Sequence, residues 1–340
     1  MTPRELVKQT IEFRNTSNRV PRELWTLPWA DNNFPDELAE IQHSFPNDIA
    51  KPHVIYHEKS PVVVGDPYTP GLYVDPWGCR FTNIQAGIIG EVKEPIVDPE
   101  DEDWEDTSRI HIPEEQLSFD IDQVNAECAK DDLFLLADCL PRPFEQLQFI
   151  LGTENLYVDL ALSCDGMLAF LERMHDFYCR SVEKWCRTNI DGIWMMDDWG
   201  SEKDLLINPK TWCEIFLPLY KDYISIAHKY GKKVFMHSDG NTLRIIPHLI
   251  DAGLDVFNTQ IFCMDREQLK QYKGKITFWG EIDRQWLLPY ATTDEIRAAV
   301  RGVYNDLWAD GGCIAQCEFG IGAKPENVRA IFDEWNKVRP

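Results

Sequence analysis

The sequence predicts an α/β protein folded as a (β/α)8 TIM barrel with an N-terminal β-hairpin insertion. Three observations carry this. From about residue 114 onward, short apolar runs such as LFLLADC (133–139), GIWMMDD (192–198) and KVFMHSD (233–239) alternate with stretches of helical periodicity. The runs show no polar face, as strands of a parallel sheet covered by helices must. Counted along the chain they number about eight, which favours a closed barrel over an open doubly wound sheet. No GxGxxG or P-loop pattern follows the first of them, so the nucleotide-binding alternatives lose support.

In order, residues 2–14 read as a helix, and Glu23 to Thr26 as a first strand ending at Pro28 and Trp29. A short helix is expected at 34–44 and a second strand at His53–Tyr56, after Pro52. Residues 58–112 are rich in Gly, Pro and alternating apolar positions. They read as hairpins followed by an acidic loop, an insertion within a single barrel domain spanning 1–340. Helices follow at 114–130, 143–151, 153–162 and 165–188. Helix 209–229 opens on Asn208 as cap and Pro209 in its first turn, with Trp212, Ile215, Phe216, Leu219, Tyr223 and Ile226 at helical spacing. Strands at 255–260, 276–281 and 313–318 alternate with helices at 242–252, 265–272, 293–308 and 325–337.

Composition bounds the partners. The formal charge is −23, which makes nucleic acid and anionic membrane surfaces poor partners. Ten Cys show no short-spaced framework, and the opening MTPRELVKQT reads as an amphipathic helix and not a signal peptide. No apolar run approaches the roughly 20 residues that span a bilayer. A cytoplasmic protein with free thiols is expected. The twelve Trp suit a pocket for a flat or apolar ligand as well as plain core packing.

In a barrel, residues at strand C-termini face one cavity. Here they are Trp29, His57, Cys139, Asp197, Asp198, His237, Asp239, Gln260, Glu281, Cys317 and Glu318. His237, Glu281 and Cys317 supply an imidazole nitrogen, a carboxylate oxygen and a thiolate sulfur, the donors of a catalytic zinc with an open fourth corner. The plain alternative for each is a satisfied polar group under a loop. Asp239, two residues after His237, shares its face of the strand end. It could replace Glu281 as ligand, orient His237, or cap helix 242–252. Asp197 and Asp198 are candidate acid–base groups, or caps for the next loop. Trp29, Trp199 and Trp77 would form an aromatic wall, with Gln260 as a further substrate contact.

At these residues the chain resembles the uroporphyrinogen decarboxylase superfamily. The resemblance rests on TPRELV…NRVPRELW, on DDWGSEKDLLINPKTWCEIFLPLYKDYISIAHKYGKKVFMHSDGN, on GEID, and on the closing strand before Lys324-Pro325-Glu326-Asn327. It implies a (β/α)8 barrel. The decarboxylase branch grips porphyrinogen carboxylates with N-terminal Arg residues, where this chain carries PWADNNFPDE. The sequence is more similar to the other branch, the corrinoid-dependent zinc methyltransferases. Their pattern is His-x-Cys with a later Cys: His237 matches the His, Asp239 stands at the first Cys, and Cys317 resembles the later one. A carboxylate in place of a thiolate leaves zinc a stronger Lewis acid, suited to polarising an ether oxygen.

The resemblance therefore implies a zinc-dependent O-demethylase component that moves a methyl group from a methoxylated, preferably aromatic, small molecule to the cobalamin-type corrinoid of a partner protein. Asp197 or Asp198 would hydrogen-bond or protonate the leaving oxygen. A metal-free decarboxylase is the alternative. A homodimer is compatible with the sequence.

Overall fold

In the computed structural model, residues 1–97, 104, 107–139 and 141–338 are described. The acidic stretch of the expected insertion, 98–103 with 105 and 106, lies outside them.

Eleven named strands occur among these residues. They are β1 (Arg22–Thr26), β2 (Ile49–Ala50), β3 (Gly71–Val74), β4 (Arg80–Asn83), β5 (Glu91–Glu94), β6 (Phe134–Leu135), β7 (Gly192–Met196), β8 (Lys233–Ser238), β9 (Val256–Thr259), β10 (Thr277–Trp279) and β11 (Cys313–Phe319). Six form a parallel sheet in the order β1-β11-β10-β9-β8-β7, and β2 pairs with β6 in parallel. This pair touches both edges of the six. Asp191 N donates to Leu135 O (2.8 Å) and Ala137 N to Gly192 O (2.9 Å) on the β7 side, and Asp48 N donates to Arg22 O (2.9 Å) on the β1 side. The architecture is α/β with a curled parallel sheet. Between β2 and β6 lies an antiparallel meander, β3-β4-β5.

Curling divides the core in two. One apolar cluster gathers Trp25, Ile49, Phe134, Leu136, Trp194, Phe235, Val256, Trp279 and Ile314, so all eight parallel strands contribute to it. Residues one step along each strand, such as Leu24, Leu135, Ile193, Met236, Phe257, Phe278 and Cys317, belong to the other cluster, which they share with the flanking helices. Strand alternation sends the first set inside the curl and the second outward.

The helix Pro3–Ile11 closes the floor. Its Thr2–Glu5 capping box fixes its start, Val7 and Ile11 enter the inner cluster, and Arg4 (3.0 Å) and Lys8 (2.5 Å) pair with Asp191 at the foot of β7.

Helices Pro143–Leu151 and Thr153–Leu162 fall as the sequence predicts, and Asn208 caps Pro209–Lys229 through Lys210 N at 2.9 Å. Three elements differ. The helix expected at 114–130 is a 3-10 turn, Glu114–Leu117, followed by a helix, Ile121–Cys128, that starts afresh on the Asp120 cap. The second strand is Ile49–Ala50, ahead of Pro52 and not after it: Ile49 and Ala50 pair with Phe134 and Leu135, and His53, Ile55 and Tyr56 are exposed. The helix expected at 242–252 starts only at Ile246, because Thr242–Ile245 form a turn closed by Ile245 N to Thr242 O. No helix among the described residues is long and apolar enough to cross a membrane.

Glu23 on β1 is a charge placed in this interior. Burial pushes it up to about 7, and the indoles of Trp25 and Trp279 and the Lys51 ammonium offset only part of this. A carboxyl raised in the folded state favours folding below its unfolded pKa, and that advantage is lost as pH rises toward 7. Glu23→Gln is therefore expected to gain stability over the natural protein at pH 8 and to match it near pH 5. Urea denaturation at the two pH values checks this, and an equal difference at both refutes it.

Candidate metal centre

His237 lies near the C-terminal end of β8, in register with Met196 of β7 and Asn258 of β9. Its parity with Phe235 turns the imidazole inward, where only 7% of the residue is exposed. Asn258 Nδ2 donates to the Trp279 carbonyl, which leaves its Oδ1 as the acceptor, 2.6 Å from His237 Nδ1. The proton of a neutral His237 therefore sits on Nδ1, and Nε2 presents a lone pair. Trp25 packs beside the ring with centroids 5.5 Å apart.

Nε2 faces two carboxylates, Asp198 Oδ1 at 3.4 Å and Asp239 Oδ1 at 3.5 Å. The loops that bear them touch through glycine backbones. A Cβ on Gly240 (φ +75°) would lie 2.1 Å from Gly200 O, and one on Gly200 would lie 2.4 Å from Asn241 N. Asp239 N donates to Asp198 Oδ1 at 2.9 Å. Ligand atoms of Asp198, His237 and Asp239 lie within 4.8 Å of one another, a group able to hold a metal ion. Burial pulls the imidazolium down, but Asp198 and then Asp239 outweigh it and hold His237 at about 10. The same contact keeps Asp198 near 2 despite its burial. Without a cation the histidine proton takes that part.

Of the expected ligands, the structure brings His237 and Asp239 together. Glu281 is buried beside them, with Oε2 3.6 Å from Arg284 Nη1, and burial raises it to about 7 against the pull of Arg284. Cys317 is displaced from the expected set. It pairs in register with Leu24 and packs in the outer cluster with Cys313, Ala315 and Phe319, while Gln316 and Glu318 alternate with it. Burial, with the charges of Glu281 and Glu318, keeps its thiol protonated.

The two adjacent aspartates part company. Asp197 is fully buried and caps helix Pro143–Leu151 from across the sheet, accepting Phe144 N (3.1 Å), Glu145 N (2.7 Å) and Tyr220 Oη (2.6 Å). These donors occupy the carboxylate the sequence offers as an acid–base group. Asp198 lines a cavity of about 1040 Å³.

The expected aromatic wall also shifts. Trp199 is buried in the core, stacked on Phe144 at 4.0 Å and bonded to Tyr220 Oη at 2.9 Å. Trp29 packs edge-on against Phe34. Gln260 holds the β8 loop by accepting Gly240 N at 2.8 Å, and it lines a separate cavity of about 280 Å³ with Glu281 and Trp286. Trp77 does line the large cavity, with Tyr73, Phe81, Phe149 and Tyr178, so the meander and helix Pro143–Leu151 wall it.

The sequence reading missed the inward tryptophans Trp25, Trp194 and Trp279, and missed Arg284. The signal for Trp25 was its place two residues from Glu23, on the inward face.

Comparison with known proteins adds kinship to this geometry. Residues 78–338 match the family described as uroporphyrinogen decarboxylase (URO-D). No curated protein matches the chain by sequence. Among solved structures, a methyltransferase from Methanosarcina mazei is similar over 99% of both chains, with TM-score 0.63 and 13% identity. An E. coli 3-keto-D-glucoside 4-epimerase is similar over 64% of this chain and 84% of its own, with TM-score 0.38 and 12% identity.

The different duties of the two aspartates separate in a denaturation experiment. Asp197→Ala leaves two helix amides and a tyrosine hydroxyl buried without an acceptor and should cost about 3 kcal/mol. Asp198→Ala relieves a like-charge contact with Asp239 but removes the partner of the His237 proton and of the Asp239 amide, opposing effects whose net cost should be smaller than that of Asp197→Ala. The reverse order would show the roles misassigned.

Proposed function

The chain belongs to the uroporphyrinogen decarboxylase family, and from that premise we propose that it is a metal-dependent methyltransferase. It takes a methyl group from a methoxylated, preferably aromatic, substrate and delivers it to the corrinoid cobalt of a partner protein. The observation that carries this reading is one imidazole nitrogen, with its tautomer pinned, facing two carboxylates at the edge of a large cavity.

His237, Asp239 and Asp198 are the ligands this reading assigns, with Glu281 next in reach. The residues fit the group: Asp239 Oδ1 and Glu281 Oε2 are buried with no hydrogen-bond partner, as acceptors kept for a cation would be. A zinc ion held there supplies a Lewis acid at the donor oxygen. The chain's own residues do the rest. Asn258 holds the imidazole in its ligating tautomer, and Trp25 supports the ring. Tyr73, Phe81 and Phe149 give a flat donor apolar surface. On this reading the curled sheet is the (β/α)8 barrel of a single domain, residues 58–112 are its insertion, and the protein works in the cytoplasm.

The cavity disfavours the decarboxylase alternative. Its lining carries seven carboxyl groups, Glu58, Asp75, Glu91, Glu115, Asp138, Glu145 and Asp198, and one arginine, Arg142, paired with Glu145; Lys51, Lys93, His111 and His237 meet four of the others from outside the lining, which leaves the carboxyls in excess. A polyanionic tetrapyrrole would meet repulsion there, while a neutral methoxyarene would not. The full-length likeness to the Methanosarcina mazei methyltransferase supports this reading.

Metal analysis of the purified protein should find zinc near one per chain. His237→Ala and Asp239→Ala should lose that zinc and methyl transfer from a methoxyarene to a reduced corrinoid, with folding intact by circular dichroism. Asn258→Ala should bind zinc roughly 10–100-fold more weakly. Full turnover by His237→Ala would sink the proposal.

A further inference from the structure

Arg284, on the loop after β10, reaches into a nest of carboxylates. Its guanidinium is paired with Asp239 Oδ2 and lies 3.6 Å from both Glu281 Oε2 and Glu318 Oε2. Its side chain is 23% exposed, and Glu281 is 2% exposed. Asp239 is thus shared. One oxygen turns to Arg284 and the other to His237 Nε2. Four carboxyl groups, those of Asp198, Asp239, Glu281 and Glu318, thus face two cationic side chains, His237 and Arg284.

A buried group of carboxylates needs cations to stay assembled. We propose that Arg284 is the resident counter-cation of this site: it holds the carboxylates together in the metal-free protein and competes with the incoming divalent ion for Asp239, so that its charge sets the metal affinity. This rests on the metal reading above. A fixed positive charge on a ligand carboxylate both occupies oxygen lone pairs and repels a second cation. A merely structural salt bridge predicts the opposite outcome, since removing it would loosen Asp239 and weaken binding.

Zinc affinity of the full-length protein, measured by competition with a fluorescent chelator, reads this without any assay of turnover. Arg284→Gln should bind zinc about tenfold tighter or more, while its metal-free form melts several degrees lower. In Arg284→Ala, millimolar guanidinium should restore the competition and bring the affinity back toward the natural value. Arg284→Lys keeps the charge but offers a single point of contact where the guanidinium meets three carboxylates, so its zinc affinity should fall between those of the natural protein and Arg284→Gln. Unchanged or weaker zinc binding by Arg284→Gln overturns the inference and leaves the metal reading standing. If neither the natural protein nor the variant binds zinc, the metal reading itself falls. Should Arg284→Gln not fold, weaker zinc binding by Arg284→Lys than by the natural protein overturns the competition in its place.

Discussion

Side chains along a β-strand alternate between two faces, and on a curled sheet those faces are an inside and an outside. The inside is apolar near the floor, where Val7, Ile11, Phe134, Phe235 and Ile314 meet. One pleat nearer the C-terminal ends, the same face carries His237, Asn258, Gln316 and Glu318. The polar group therefore rests on an apolar floor and opens toward two cavities, the large one at Asp198 and the smaller one at Glu281. Low dielectric strengthens every interaction inside it and penalises any charge left without a partner. This is why His237 holds its proton so firmly and why Glu281 resists ionisation.

Parity aims the imidazole, but it does not bring two carboxylates to the same nitrogen. That comes from the loops after β7 and β8, which approach at Gly200 and Gly240 more closely than any side chain permits. The approach costs repulsion between Asp198 and Asp239. The hydrogen bond from Asp239 N to Asp198, and the imidazole between them, offset it. A pair of like charges fixed by backbone geometry cannot relax by moving apart. It relaxes by taking up positive charge: a proton on His237, the guanidinium of Arg284, or a metal ion.

Much of this was legible in the residues. Continuous apolar runs gave most strands within a residue or two, because a strand covered on both faces has no other composition available. The i, i+2 spacing placed His237 and Asp239 together. The same rule, applied to CIAQCEF, would have kept Cys317 out: Gln316 and Glu318 alternate with it, and two polar groups on an otherwise apolar strand mark its inward face. Asp197 and Asp198 were less separable. Which of two neighbours caps a helix across the sheet depends on where Phe144 and Glu145 come to rest, and that is a tertiary fact. The second strand was missed because two residues flanked by a proline carry too little pattern to read. Arg284 was visible only as an Arg three residues after Glu281, and nothing local says that Asp239 from the loop after β8 and Glu318 of β11 converge on it as well.

Moving Cys317 to the outer layer changes the chemistry the inner group can support. Among the described residues, what remains in the group is one imidazole and carboxylates, with no sulfur. Ligand for ligand, a carboxylate oxygen donates less charge to a bound cation than a thiolate sulfur, so an ion held there would keep more of its pull on a further ligand than it would in a sulfur-rich site. A thiolate-rich site suits activation of a thiol, where the ion must stabilise sulfur without gripping it. A nitrogen and oxygen site suits a harder partner, an ether or alcohol oxygen that gains negative charge as its bond to carbon breaks. The surrounding carboxylates then set a second condition. A donor that brought its own carboxylate would add to a repulsion already balanced by His237 and Arg284, whereas a neutral ring lying against the Phe81–Phe149 pair would leave that balance intact.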